Sequence, residues 1–162
     1  MTTGGVSVGD YDLVQDAFAE IGFSANFWQV AMRPGKPLLF GRIGDLPVLG
    51  FPGNPVSAIV CAIVYLRPAI RLMLGVSAEP ESVPLARLAR DLGANDHRQD
   101  YLRAKLSFDD QGAAVADPFE RQDSSMLAYL AGAECLVVRP PHAPPISAGS
   151  LVPIILLSSA AA

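Results

Sequence analysis

Short apolar runs alternate with turns rich in glycine and proline along the first half of the chain. The segment LVQDAFAEIG has its apolar residues at helical spacing, which predicts a short amphipathic helix that ends at Gly22. Further apolar runs predict three strands, at residues 27–31, 38–43 and 46–51. Strands and helices that alternate in this way are typical of an α/β domain, in which helices cover a sheet.

A longer apolar run after the third strand predicts a second helix. Asn54 can cap this helix, and apolar residues continue to Leu74, although Pro68 is expected to kink or break it. The most apolar part, residues 56–66, is about half as long as a helix that crosses a bilayer. We therefore interpret the segment as a buried helix of a soluble protein without a membrane span.

The pattern changes after a polar segment at residues 75–84, which we interpret as a linker. We expect an α/β domain over residues 1–76 and a second domain over residues 84–157. In the second domain, short apolar runs separated by turns predict a small β-barrel or β-sandwich. Its predicted strands are residues 101–108, 113–116, 135–138 and 151–157.

Composition and charge narrow the possible functions. The chain has 162 residues, 51% hydrophobic and 17% charged, so it can bury a substantial core. A net charge of -4 without clustered Lys and Arg argues against a nucleic-acid partner. Cys61 and Cys135 lie in apolar runs without metal-binding or redox spacing, which predicts buried free thiols. A polar segment rather than an apolar signal sequence follows Met1, so we expect a cytoplasmic protein.

The chain opens in a glycine-rich turn, TTGGVSVGDYD, of the kind that follows a buried strand, so we expect a piece of a longer protein. Glycines let successive backbone N–H groups point into one concavity, and the following helix adds its positive end. A phosphate would fit such a turn, although an ordinary strand-to-helix turn would have the same residues. The candidate binding residues are Thr3, Gly4, Gly5, Ser7 and Gly9.

Two further turns are candidates for anion binding. In MRPGKP, two prolines restrict the loop and two cations flank a glycine, although a solvated turn alone explains these residues. In FPGNPVS, backbone donors lie at a helix N-terminus, although a helix cap and stop signal alone explain that motif. Because turns at the strand carboxyl ends of an α/β sheet face one crevice, the three turns could line one site. The candidates are Arg33, Pro34, Gly35, Lys36, Pro52, Gly53, Asn54, Pro55 and Ser57.

Two carboxylates, Asp10 and Asp12, adjoin the first turn. Beside a bound phosphate, such a pair could hold Mg²⁺, because hard cations take oxygen ligands and bridge to phosphates. The alternative is that one carboxylate caps the following helix and the other is solvated.

Polar residues of the second domain are expected at the surface. They are Asp96, Arg98, Asp100, Arg103, Gln122, Ser124 and Ser125. His97 and His142 lie far apart in sequence and predict no nucleophile–base pair. The sequence therefore gives little reason to expect covalent catalysis.

Four blocks, taken in order, carry a family resemblance. They are TTGGVSVGDYD, MRPGKPLLFG, LGFPGNPVSA and a β-rich tail with QDSSML and ISAGSLVPIILL. Together they resemble the MoeA family of molybdopterin molybdenumtransferases, and the resemblance covers nearly the whole chain but well under half of a full family member. It implies an incomplete three-layer α/β molybdopterin-binding domain of the MogA-like type, followed by a small all-β, barrel-like C-terminal domain.

The resemblance also implies an activity. The family enzyme takes adenylylated molybdopterin and molybdate and, with a divalent metal such as Mg²⁺, releases AMP and the molybdenum cofactor. It implies that the glycine turn cradles the pterin phosphate and that residues 34–37 and 52–57 form the other walls. The implied catalytic residues are Asp10, Asp12 and Ser124, of which the two aspartates would bind the metal. Family members are homodimers, so the expected partners are a small-molecule substrate and a second copy.

This chain departs from the family pattern at two positions. Arg33 and Gln29 fall where relatives often carry a lysine, which changes the charge expected near molybdate. The first three blocks also occur in MogA-like molybdopterin adenylyltransferases, so a separate β domain after Pro84 would favour the MoeA type. A non-catalytic scaffold built on the same architecture is a further alternative.

Overall fold

The computed structural model describes residues 1–4, 17–18, 20–76, 83–123 and 126–157. The chain divides into two compact units, Met1–Ala78 and Glu79–Ala162. The first contains a sheet with a long helix, and the second contains a closed set of strands. The prediction of an α/β domain followed by a barrel-like β domain is therefore confirmed.

A four-stranded sheet forms the described part of the first unit, in the order β1, β5, β4, β2. Strand β1 (Thr2–Thr3) is parallel to β5 (Leu46–Phe51), which is antiparallel to β4 (Pro37–Ile43). Strand β4 pairs with β2 (Phe23–Gln29), also antiparallel. A two-residue strand, β3 (Met32–Arg33), lies between β2 and β4 in the chain.

The bounds of β4 and β5 match the sequence prediction to within one residue. The prediction for β2 is wrong at both ends, because this strand begins at Phe23 rather than at residue 27 and ends at Gln29. Gly22, with φ of +76°, ends the preceding turn in a conformation that favours glycine. The chain can therefore enter the strand at once, and Phe23 pairs with Ile43.

A 19-residue helix follows β5. It consists of α1 (Pro55–Cys61), a π-helical segment (Ala62–Leu66) and α2 (Arg67–Met73). Of the two expected effects of Pro68, the break is wrong, since the helix continues to Met73, and the kink stays a prediction. The π-helical segment lies directly before the proline, whose missing N–H and bulky ring disturb the regular hydrogen-bond ladder.

This helix is less buried than predicted. Its buried residues lie in α1 alone, and none lies in the π-helical segment or in α2. A helix of 19 residues is about 28 Å long, whereas a six-residue strand such as β5 spans about 20 Å. The strand before the helix is therefore too short to cover it along its whole length. Among the described residues it is the one helix long and apolar enough to cross a membrane, a test that core helices of soluble proteins also meet.

Five strands of the second unit close into a ring. They are β6 (Leu85–Leu88), β7 (Gln99–Phe108), β8 (Ala114–Pro118), β9 (Cys135–Arg139) and β10 (Leu151–Leu156). The neighbours around the ring are β7, β8, β6, β10 and β9, and β9 returns to β7. All pairs are antiparallel except β6 with β8. A short helix, α3 (Leu127–Ala131), precedes β9.

The barrel interior is filled mainly by small and aliphatic side chains. The buried cluster consists of Ala86, Leu88, Ala104, Ala116, Cys135, Val137, Val152 and Ile154. Strand β6 is absent from the sequence prediction, because its four residues, LARL, include a charged side chain and adjoin the polar linker. Its exposed and buried positions nevertheless alternate.

Candidate functional site

The start of the first glycine turn, Thr3 and Gly4, lies beside the third turn in the first unit. Strand β1 is parallel to β5, with Thr3 opposite Phe51, so the two turns leave the sheet at the same edge. The Gly4 amide donates to the Phe51 carbonyl at 2.9 Å. A Cβ added to Gly53 would lie 3.5 Å from the Gly4 Cα. The two backbone segments therefore lie within van der Waals reach of a single methyl group at position 53.

The second turn lies at this edge as well. Strand β4 is antiparallel to β5, and Leu39 pairs with Gly50, so the residues before β4 lie beside those after β5. The turn RPGKP directly precedes β4. The second and third turns, together with Thr3 and Gly4 at the start of the first, therefore lie at one edge of the sheet, as the rule for strand carboxyl ends leads one to expect.

The third turn begins the long helix. Asn54 adopts an extended conformation, and its Oδ1 accepts a hydrogen bond from the Ser57 amide at 3.1 Å. Pro55 occupies the first turn, where a missing N–H leaves no hydrogen bond unmade. The first turn contains no acidic residue, so no carboxylate there offsets the positive end of the helix dipole. The positive end of this helix therefore favours the binding of an anion.

The second turn is anchored by its glycine and exposes its cations. Pro34 and Gly35 are buried, whereas Arg33 and Lys36 on either side are exposed. Gly35 has φ of +111°, a conformation that favours glycine, and the Val30 amide closes the turn by donating to the Lys36 carbonyl at 3.0 Å. Two positive side chains therefore flank a loop whose position is fixed by its own hydrogen bond.

A buried thiol lies beneath this loop. Cys61 of α1 is fully buried, and its Sγ donates to the Gly35 carbonyl at 3.8 Å. Burial raises the pKa of Cys61 to about 12 and that of Cys135 in the barrel to about 11, in the latter case with a contribution from the charge of Glu134. Both cysteines are free thiols, as the sequence predicts, and they remain protonated at neutral pH.

Several predicted site residues lie outside the described residues. They are Gly5, Ser7, Gly9, Asp10, Asp12 and Ser124. Within the described residues, no group of three or more His, Cys, Asp and Glu side chains gathers as a metal site. The roles assigned to these six residues remain predictions.

The polar residues of the second unit include a buried arginine, which corrects the expectation of a solvated surface. Arg103 of β7 is fully buried and Asp100 is nearly so. The Gln122 side chain accepts from the Arg103 amide at 3.0 Å and donates to its carbonyl at 3.0 Å, so it bonds the strand as a neighbouring strand would. The Arg103 Nη1 donates to the Asp123 carbonyl at 3.0 Å.

This buried arginine bears on the predicted site because Gln122 and Asp123 directly precede Ser124. Burial lowers the pKa of the Arg103 guanidinium, an effect that the charge of Asp123 partly offsets. Sequence spacing gives no signal for the contact, since 19 residues separate Arg103 from Gln122. The pairing follows from the antiparallel pairing of β7 with β8, in which Ala104 lies opposite Pro118 and the Phe119 amide donates to the Arg103 carbonyl at 3.0 Å.

Two family descriptions match the chain, one over each unit. "Probable molybdopterin binding domain" matches residues 1–72, and "MoeA C-terminal region (domain IV)" matches residues 85–157. The adenylyltransferase alternative predicts no separate β domain after Pro84, so the second match argues against it.

Individual relatives agree with these matches. Molybdopterin molybdenumtransferase 2 of Mycobacterium tuberculosis is 33% identical over 155 residues, which cover 93% of this chain and 38% of that protein. Molybdopterin molybdenumtransferase of Staphylococcus aureus is 31% identical over 162 residues, which cover 100% of this chain and 38% of that protein. The chain therefore spans about 38% of the length of these curated relatives.

A solved structure shows the same arrangement of elements. The molybdopterin biosynthesis MoeA protein from Pyrococcus horikosii superposes with a TM-score of 0.75 at 25% identity. The superposition covers 97% of this chain and 36% of that protein. Both units of the chain thus have counterparts in one known protein.

Proposed function

Because the chain belongs to the MoeA family, we propose that it acts in molybdenum cofactor biosynthesis as part of a molybdopterin molybdenumtransferase. The proposed reaction inserts molybdate into adenylylated molybdopterin and releases AMP. The role of the first unit is to hold the phosphate-bearing tail of the pterin.

The observation that carries this proposal is that the second and third turns lie at one edge of the sheet together with Thr3 and Gly4, the start of the first turn. Gly4 and Gly53 bring two backbone segments close together, and the helix that starts at Pro55 adds its positive end. The exposed side chains of Arg33 and Lys36 stand at the same edge. Backbone donors and cations arranged in this way suit a phosphate or diphosphate, which carries several acceptor oxygens.

The contribution of these residues to the reaction is electrostatic positioning. Fixed donors and cations hold the anionic group in one orientation and favour the charge that develops as the phosphoanhydride bond breaks. This role requires no nucleophilic side chain. Molybdate is a second anionic substrate, and Arg33 adds charge for it where relatives often have lysine, whereas Gln29 adds none.

Mg²⁺ belongs to the proposal through Asp10 and Asp12, which would hold it beside the phosphate, where it would neutralise charge. No described cluster provides a metal site, so no step is assigned to the ion here. Ser124 belongs to the proposal as a residue of the turn that Arg103 and Gln122 fix at its start. A cytoplasmic homodimer is proposed for the whole enzyme.

The principal alternative is a MogA-like adenylyltransferase, which would use ATP and molybdopterin. The five-stranded barrel disfavours it, because this unit has no part in an adenylyltransferase that consists of the α/β domain alone. A non-catalytic scaffold would fold in the same way, and ligand binding distinguishes it from the enzyme.

The test measures affinity for adenylylated molybdopterin by isothermal titration, with and without molybdate. The chain has two lysines, Lys36 in the second turn and Lys105 in the barrel, and both are exposed. Lys36→Gln should weaken binding about five- to thirtyfold, since one charge-assisted contact contributes roughly 1–2 kcal/mol. Lys105→Gln removes the same charge at a distance in sequence and should leave the affinity unchanged.

Two results would overturn the proposal. A wild-type chain without affinity for adenylylated molybdopterin would favour a scaffold. Equal effects of Lys36→Gln and Lys105→Gln would show that general charge, rather than the second turn, attracts the ligand.

A further inference from the structure

We propose that Cys61 is a positioning residue that seats the cationic turn on the helix, and thereby sets the spacing between the second and third walls of the anion site. This inference deepens the proposed function and rests on it for the identity of the ligand. It assigns to the thiol a role in geometry rather than in covalent chemistry or metal binding.

Position 35 has no room for a side chain, because Cys61 and Met32 pack against it. A Cβ added to Gly35 would lie 2.6 Å from the Cys61 Sγ and 3.2 Å from the Met32 Cε. Sulfur therefore occupies the space that a side chain at position 35 would need. Gly35 also has φ of +111°, which other residues rarely adopt. The turn can pack this closely against the helix because position 35 is glycine and position 61 is no larger than cysteine.

The contact links two walls of the site. Asn54 starts the helix that carries Cys61, and Gly35 lies directly before Lys36. A helix is a rigid element with a fixed rise per residue, so a turn held at Cys61 is also held relative to Asn54. The sulfur at position 61 thus determines where the Lys36 cation stands with respect to the helix N-terminus.

The chemistry of the thiol suits this role. Burial raises the pKa of Cys61 to about 12, so at neutral pH the group is an uncharged S–H that donates to the Gly35 carbonyl. A buried, protonated thiol is a poor nucleophile and metal ligand. Packing and a weak hydrogen bond are therefore what Cys61 contributes.

The chain provides a matched control. Cys135 is also fully buried, and its Sγ donates to the Ala104 carbonyl at 3.9 Å within the barrel. Cys61→Ala and Cys135→Ala remove the same atom from equally buried positions. Both variants should lose stability, but only Cys61→Ala should disturb the second turn.

Two measurements separate positioning from stability. The first is hydrogen exchange of the Val30 amide, which closes the turn by donating to the Lys36 carbonyl. This exchange should become about fivefold faster or more in Cys61→Ala, because the turn opens locally. The second is affinity for inorganic pyrophosphate by titration, which should fall by about the same factor because a displaced Lys36 no longer aligns with the helix N-terminus. Cys61→Ser keeps a donor and should restore part of both.

The outcomes are distinguishable. If Cys61→Ala matches Cys135→Ala in Val30 exchange and in pyrophosphate affinity, the positioning role is refuted. If the wild-type chain binds neither pyrophosphate nor adenylylated molybdopterin, the proposed function fails, while Val30 exchange still decides whether Cys61 seats the turn. If Cys61→Ala does not fold, Cys61→Val, which fills the site but has no donor for the Gly35 carbonyl, supplies both measurements, and wild-type exchange and affinity in that variant would refute the role of the thiol.

Discussion

Asn54 combines two roles that substitution can separate. Its side chain caps the helix through the 3.1 Å bond from the Ser57 amide, and it stands at the proposed anion site. Asn54→Ala removes the cap and leaves the amide of the buried Ser57 without that acceptor. The expected loss is about 1–2 kcal/mol of the free energy of unfolding, and each kcal/mol lowers the Tm of a unit of this size by roughly 4–8 °C.

Asn54→Asp should behave in the opposite way. The carboxylate can accept the same bond, and its charge interacts favourably with the helix N-terminus, so stability should equal or exceed that of the wild type. The same charge repels a bound phosphate. At a separation of about 7 Å, with an effective dielectric constant between about 20 and 80, the repulsion is on the order of 1–2 kcal/mol, which corresponds to a five- to thirtyfold loss of affinity.

The assays are thermal unfolding followed by circular dichroism and titration with inorganic pyrophosphate. Gln111→Glu adds the same charge at an exposed turn of the barrel and controls for net charge. Wild-type affinity in Asn54→Asp would remove the third turn from the anion site. Wild-type stability in Asn54→Ala would show that the cap bond contributes nothing.

Two further predictions concern stability. Gly41→Ala should lower the free energy of unfolding in urea by about 1–3 kcal/mol, because its Cβ would overlap the Phe23 ring and the Ser24 carbonyl. Gly93→Ala, whose Cβ meets open space, should leave the free energy of unfolding unchanged. Equal effects of the two substitutions would contradict the close approach of β2 and β4. The free energy of unfolding should also fall as pH rises from about 9 to about 12. In this range the unfolded chain has released its thiol protons, whereas the folded chain keeps them, with a pKa of about 12 at Cys61 and about 11 at Cys135. Urea titrations across this range should show a shallower decline for Cys135→Ala, and an unchanged decline would mean that the Cys135 thiol is not buried in solution.

The features best predicted from the sequence are those encoded locally. Asn54 followed by proline specifies a helix start whatever the surroundings, and the structure has the cap at that residue. The apolar run of β5 is bounded by turn residues on both sides, so its ends are correct. The shared edge of the second turn, the third turn and the start of the first follows from a topological rule, which requires only that the elements be assigned correctly.

The features missed from the sequence depend on contacts between distant residues. The buried Arg103 bonds to Gln122, which lies beside it through the pairing of β7 with β8. The contact of Cys61 with Gly35 joins residues 26 positions apart. An apolar run in sequence does not reveal how far a sheet extends beneath a helix, so the exposure of α2 could not be predicted. The functional roles of Asp12 and Ser124 remain predictions from the resemblance.

The ring of strands in the second unit also bears on how this unit can be joined to other polypeptides. Its first strand, β6, and its last, β10, are antiparallel neighbours, with Leu85 opposite Pro153, and the Ile154 amide donates to the Pro84 carbonyl at 2.9 Å. The entry and exit of the chain are therefore adjacent at one rim. A module of this kind can be appended, inserted into another domain or circularly permuted with little rearrangement of its interior.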